Sequence, residues 1–193
     1  MQFDHLFPTV IGVDKYSRHT KIQHNLVKFC LNKKTKIQSG GKNWMSKETY
    51  NTSTTYNLTF EPLFQDLNKW VYSQVIKYCQ HMNYVVELTC SGVWFNVYEK
   101  NDYQEYHRHA KDCISAIYIL KGNKKAAKTY FRSPILETAQ EPKIKINDFN
   151  TFIQKYEALP GRLLMFKSNT EHAVEKHLDN NQRITLAYNF RLK

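Results

Sequence analysis

The sequence predicts an α+β fold: a double-stranded β-helix, or jelly-roll barrel, of two antiparallel sheets, with N-terminal helices packed on one of them. Three observations carry this. Apolar residues recur at helical spacing before position 84 and at every second position from about Val85 onward. Turn signals such as Lys121-Gly122-Asn123 and Pro160-Gly161 punctuate the second part. The 193 residues carry no repeat and no low-complexity linker. That suffices for one domain, with mainly helical support over 1–84 and the barrel core over 85–193.

The elements follow in order. Leu6 to Val13 reads as an opening strand, with Pro8 near its edge because proline brings no N–H to a ladder. Lys21 to Lys33 places Ile22, Leu26, Phe29 and Cys30 on one helical face. Ser39 to Asn57 is polar and turn-rich, and Gly40-Gly41-Lys42 within it is too short for a phosphate-binding loop. Glu61 to Met82 carries the clearest helical stripe: Phe64, Leu67, Val71, Val75, Tyr78 and Cys79. Pro62 suits its first turn, where the missing N–H costs nothing, and the stripe reads as core. Strands are predicted over Val93 to Tyr98, Cys113 to Leu120, Lys128 to Arg132, Arg162 to Phe166, Ala173 to Lys176 and Arg183 to Arg191. The long polar stretch Ser133 to Pro160 reads as a lid or a substrate-contacting loop.

A hydrophobic content of 41% with 14% aromatics excludes a disordered chain. No apolar run approaches the roughly 20 residues that span a bilayer, so no membrane partner is expected. The N-terminus lacks a basic region followed by an apolar one, so the cytoplasm is the expected compartment. The sequons at Asn51 and Asn57 are then read as chance. Cys30, Cys79, Cys90 and Cys113 lie far apart with no CxxC pair, which argues against a zinc ribbon or a disulfide framework. The formal net charge of +11 favours polyanionic partners. The lysines are scattered, however, and the densest runs read as solvated loops, so charge alone does not establish nucleic-acid binding.

The chemistry concentrates in the second half. His107 and His109 are two apart, and alternation along a strand aims such a pair at one face. Alone this motif is weak. After the hydrophobic strand ending at Phe166 and a short turn, His172 supplies a third imidazole on a neighbouring strand. Eleven residues later stands Arg183, which shares one strand face with Thr185, Ala187 and Asn189. An arginine facing inward is costly unless an anion neutralises it, and a ligand carboxylate gripped at two points would do so.

This combination resembles the Fe(II)/2-oxoglutarate-dependent oxygenases, and in particular a small family of them from marine bacteria and their phages, within the prolyl-hydroxylase-like superfamily. The matching pieces are Leu6-Phe7-Pro8-Thr9, Trp94-Phe95-Asn96, His107-Arg108-His109, Ser115 to Tyr118, Pro160-Gly161, Phe166, His172-Ala173-Val174, Arg183 and Asn189-Phe190. Together they span nearly the whole chain. A second likeness, to the alkylated-base demethylases, lies in Asn96-Val97-Tyr98, whose Asn and Tyr stand eleven and nine residues ahead of His107.

The resemblance implies iron(II) held by His107, His109 and His172, with 2-oxoglutarate as co-substrate and ascorbate as an accessory reductant. It implies that Arg183 grips the C5 carboxylate with Thr185 and Tyr98, and that Asn96 reaches the C1 carboxylate. The implied reaction hydroxylates a C–H bond while 2-oxoglutarate is decarboxylated to succinate. The compartment is then a bacterial cytoplasm, or that of a host if the chain is phage-encoded.

His109 departs from the family pattern, which usually has a carboxylate there. Three-histidine iron sites occur in cupin-type dioxygenases that do not use 2-oxoglutarate, so that alternative stays open on the same cupin-like barrel, although such an enzyme has no need of Arg183. Asp112 is the nearest substitute carboxylate, three residues beyond His109. The other histidines, His5, His19, His24, His81 and His177, have no partner at ligand spacing and read as structural or exposed. The substrate stays open between a protein side chain such as prolyl, a small molecule and a nucleic acid, and a catalytically silent barrel is a further reading.

Overall fold

The computed structural model describes residues 1–2, 8–41, 44–134 and 151–193. In chain order the elements are β1 (Gly12–Lys15), α1 (His19–Lys34), β2 (Tyr50–Asn51), a 3-10 turn (Pro62–Phe64) and α2 (Gln65–His81). Then follow β3 (Leu88–Tyr98), β4 (Gln104–His107), β5 (Ile114–Lys121), β6 (Thr129–Arg132), β7 (Ile153–Tyr156), β8 (Arg162–Lys167), β9 (His172–Val174) and β10 (Arg183–Leu192). Among the described residues the strands form two sheets, ordered β1-β8-β5-β10-β3-β2 and β4-β9-β6-β7. Every pairing within them is antiparallel.

The period-two pattern explains how the layers stack. Val93, Phe95 and Val97 of β3 turn the same way as Ala116, Tyr118 and Leu120 of β5 and Ile184, Leu186, Tyr188 and Phe190 of β10. This face packs on Leu26 and Cys30 of α1 and on Leu67, Val71, Val75 and Cys79 of α2. The helices therefore cover the outer face of the larger sheet, as the sequence predicts. The alternate residues face the smaller sheet. Leu164 and Phe166 meet Phe131 there, and Ile119 meets Ala126 and Ala158. Trp94, Asn96 and Tyr98 of β3, with Arg183, Thr185 and Asn189 of β10, line the pocket described below.

Several boundaries differ from expectation. The opening strand is Gly12–Lys15 rather than Leu6 to Val13; Leu6 and Phe7 lie outside the described residues, and Pro8 to Ile11 pair with no strand. The helix expected over Glu61 to Met82 begins as the 3-10 turn at Pro62, and Phe64 is buried from that turn. Two strands, β2 and β7, were not anticipated, and β4 was expected only as the strand carrying His107 and His109. β2 and β4 are short and polar, and β7 falls inside the stretch Ser133 to Pro160, of which 135–150 lie outside the described residues. Residues 1–84 supply both helices and also give β1 and β2 to the larger sheet. The Pro160-Gly161 turn is present, and Gly161 has φ +85°, a conformation that favours glycine.

Candidate metal centre

β4 pairs with β9 so that His107 lies opposite His172. One extra residue on β4 between Gln104 and His107 shifts the register there, and such bulges re-aim side chains beside functional sites. His109 does not lie in the strand, so simple alternation does not place it, contrary to the sequence argument. Its backbone N–H instead donates to Ser168 O at 2.8 Å, just after β8. That bond folds the loop inward and brings the third imidazole alongside the other two.

The ligand-type nitrogens of His107, His109 and His172 all lie within 4.8 Å of one another. His107 Nδ1 lies 2.8 Å from Glu105 O, and His172 Nδ1 lies 2.9 Å from Thr170 O. A carbonyl only accepts, so each Nδ1 carries the proton and each Nε2 keeps its lone pair for a metal. Burial pushes all three imidazoles down, His172 well below its ordinary value and His109 to about 4, with the neighbouring imidazoles adding to both effects. They are neutral at physiological pH, the form that binds metal. Trp44 stacks over His107, Trp94 meets His109 edge-on, and Phe166 packs against His172. This donor set fits a divalent transition metal such as iron(II).

Asp112 is not in the group. Its carboxylate accepts from Ser91 Oγ at 2.6 Å and lies 3.8 Å from Arg191 Nε. Glu105 is also engaged, taking hydrogen bonds from Met45 N–H, the Ser46 hydroxyl and Gln104 Nε2.

The co-substrate candidates come from two adjacent strands. β10 and β3 pair Arg183 with Tyr98 and Thr185 with Asn96, so four residues far apart in sequence form a square on the inner face. Arg183 is 0% exposed. Its Nη2 donates to Thr129 Oγ1 at 2.9 Å, and its guanidinium carbon sits 4.7 Å from the centre of the Tyr98 ring. Its Nε and Nη1 have no hydrogen-bond partner among the described residues. Burial lowers the pKa of Arg183, with Tyr98 and Glu175 opposing the effect. Asn96 Nδ2 donates to Thr185 Oγ1 at 3.2 Å, and its buried Oδ1 has no partner among the described residues.

All seven candidate residues line one pocket with Trp44, Trp94 and Gln104. A larger, mainly apolar hollow lies elsewhere, between Cys79, Tyr84, Leu88 and Cys113. It holds none of the three imidazoles, so size does not locate the chemistry. Thr129 and Gln104 escaped the sequence reading, because a lone Thr or Gln on a short strand carries no motif. The other histidines stand apart: His24 and His81 are exposed, and His5 lies outside the described residues. His19 Nδ1 is 2.7 Å from the Tyr118 hydroxyl, and buried His177 is held between Ala127 N–H and Asn181 O.

Residues 92–189 match the family described as "Putative 2OG-Fe(II) oxygenase". The chain belongs to this family. It is an oxidoreductase, a 2-oxoglutarate-dependent dioxygenase, and the family implies iron(II) and 2-oxoglutarate as its cofactors. No curated protein matches this oxygenase. A prolyl-4-hydroxylase from Pseudomonas putida shares its fold at a TM-score of 0.69 and 11% identity, over 96% of this chain and 94% of the other. A Trichoplax adhaerens prolyl hydroxylase in complex with a peptide fragment of hypoxia inducible factor follows at 0.66 and 14%, over 94% and 83%. HygX from Streptomyces hygroscopicus, with nickel, 2-oxoglutarate and hygromycin B bound, gives 0.62 and 10%, over 96% and 84%. Among its described residues this oxygenase has no helix long and apolar enough to cross a membrane.

Proposed function

We propose that His107, His109 and His172 hold the iron, that Arg183 with Thr185, Tyr98 and Asn96 holds 2-oxoglutarate, and that the enzyme hydroxylates a protein side chain such as prolyl, or a small molecule. One observation carries this reading. A fully buried guanidinium, with two nitrogen groups that find no partner among the described residues, faces the same pocket as three clustered imidazoles. A charge so placed is costly until a bidentate carboxylate meets it, and 2-oxoglutarate carries one at the end away from its metal-chelating keto acid. The need for an anion favours this over the cupin-type alternative.

When bound, iron and 2-oxoglutarate would supply the oxidation with dioxygen as the oxidant: one oxygen atom would enter succinate as 2-oxoglutarate loses carbon dioxide, and the other would become the hydroxyl placed on the substrate C–H bond. The protein's part is to bind, orient and exclude water. Glu105 O and Thr170 O fix two imidazole rings, and the ring of Tyr98 backs the guanidinium. Thr129 fixes its far edge. If the amide of Asn96 turns over, Oδ1 accepts from the Thr185 hydroxyl and Nδ2 becomes a donor to a carboxylate. Ascorbate would sustain turnover by keeping bound iron ferrous. The similar structures holding a peptide fragment and hygromycin B support a peptide or small-molecule substrate here.

The test is substrate-free succinate formation from 2-oxoglutarate. It should require added Fe(II), be sustained by ascorbate, and fall to background in His107→Ala and Arg183→Ala. Undiminished turnover in both variants would show that the site lies elsewhere.

A further inference from the structure

The metal and co-substrate residues leave open what is oxidised. A second hollow opens from the same pocket, and Trp44, Trp94, His109 and Asn189 line both. Away from the imidazoles its walls continue through Tyr56 and Gly92. Three features of it point to one kind of occupant.

Gly92 lies on the same strand face as Trp94, Asn96 and Tyr98 and pairs directly with Asn189. Its backbone is not in the left-handed region, and a Cβ built there would meet nothing within 4 Å. Neither backbone conformation nor crowding therefore demands glycine. What the missing side chain does is keep open space beside Asn189.

Asn189 has its amide oriented from behind. Ser115 Oγ donates to Asn189 Oδ1 at 2.8 Å, and the Ser115 and Ser168 hydroxyls are themselves 2.8 Å apart. With Oδ1 taken, the two Nδ2 protons are left for the hollow, and among the described residues they find no acceptor. Asn189 is buried, so a donor held this way is worth most to a ligand that brings an acceptor.

The charges at the hollow are already matched. Asp112 and Arg191 both line it and lie 3.8 Å apart, and Asp112 also takes the Ser91 hydroxyl. An anion would meet one guanidinium with a carboxylate beside it, and a polyanion would find no row of cations. The indole rings of Trp44 and Trp94 offer flat apolar walls instead.

We propose that the cleft formed by Trp44, Trp94, Gly92 and Asn189 is the substrate subsite, and that it takes an uncharged group whose acceptor oxygen, of amide or hydroxyl type, receives a hydrogen bond from Asn189 Nδ2. This rests on the reading of the triad and Arg183 given above. It places the specificity of the enzyme on the inner sheet face beside His109 and excludes nucleic acid as the substrate.

The enzyme with Fe(II) and 2-oxoglutarate is offered, separately, end-capped uncharged peptides, uncharged glycosides, single-stranded oligonucleotides and anionic metabolites, and succinate above the substrate-free rate is measured. The uncharged peptides or the glycosides should accelerate it, and which of them does so identifies the source of the acceptor. Asn189→Ala should cut that acceleration roughly tenfold, the effect of one hydrogen bond. Gly92→Leu should abolish it while Mn(II) with 2-oxoglutarate still raises the melting temperature, which separates a blocked cleft from a misfolded protein. Acceleration by oligonucleotides or anions, by none of the pools, or undiminished in both variants overturns the assignment. Absence of the substrate-free, iron-dependent succinate in the wild-type enzyme is a different result, and it overturns the reading of the triad instead.

Discussion

Arg183 is the residue on which the site turns. It is fully buried, it stacks on Tyr98, and among the described residues no carboxylate lies within salt-bridge distance of it. Its charge therefore opposes folding until a ligand arrives. Replacing a buried ion pair with packed apolar side chains is often neutral or stabilising by about 1–4 kcal/mol, and a buried charge without an ion partner has less Coulombic attraction to lose. Arg183→Met should thus melt no lower than the wild type without ligand, yet bind 2-oxoglutarate about 3 kcal/mol more weakly, roughly 100-fold. Thermal melts and calorimetric titration check the two halves, and native affinity in the variant would refute the role given to Arg183. The sequence betrayed Arg183 because a charged residue interrupts an inward strand face at a telling distance from His172. It did not betray Thr129, the acceptor for Nη2, because a threonine in a strand has many other reasons to be there. His109 was found for a reason that proved incomplete: it stands outside β4, and its place depends on a loop bond to Ser168 O that no spacing rule anticipates.

At the scale of elements, β10 does two jobs through its alternation. Ile184, Leu186, Tyr188 and Phe190 face the helices, while Arg183, Thr185 and Asn189 face the pocket. Neighbouring substitutions should therefore separate stability from binding. Ile184→Ala empties a site that is 0% exposed and should cost about 2–5 kcal/mol of stability, leaving 2-oxoglutarate affinity near native once folded. Thr185→Val keeps the shape but strips the partner of Asn96 Nδ2. It should cost about 1–3 kcal/mol or less of stability and weaken 2-oxoglutarate binding. Denaturant unfolding and titration of both variants test this, and equal effects on binding would contradict the division of faces. β3, β5, β8 and β10 were legible because one face of each is apolar over several residues. β2, β4 and β7 were not: each spans at most four residues, and partner strands rather than a hydrophobic pattern hold them. The strand that carries His107 was thus among the hardest to read, since a strand that serves a polar pocket gives up the alternation that would reveal it.

The whole molecule carries a formal charge of +11, yet the charge that matters to the site is local. The pocket presents three neutral imidazoles and one guanidinium, with no carboxylate in the ligand group. A divalent ion entering alone adds positive charge beside Arg183. The dianion of 2-oxoglutarate entering with it offsets both, so each ligand should raise the other's affinity, and that coupling is reciprocal. A ligand at 100 times its dissociation constant stabilises a fold by about 2.7 kcal/mol, which raises the melting temperature of a domain this size by roughly 5–10 °C. Mn(II) or 2-oxoglutarate alone should give small shifts, the two together should exceed the sum of the separate shifts, and a chelator should abolish the excess. In Arg183→Met the 2-oxoglutarate-dependent part should vanish while the shift with Mn(II) alone persists or grows, because the opposing guanidinium is gone. Strictly additive shifts in the wild type would mean that the two ligands do not share one pocket, and the joint reading of the imidazoles and Arg183 would fail with them.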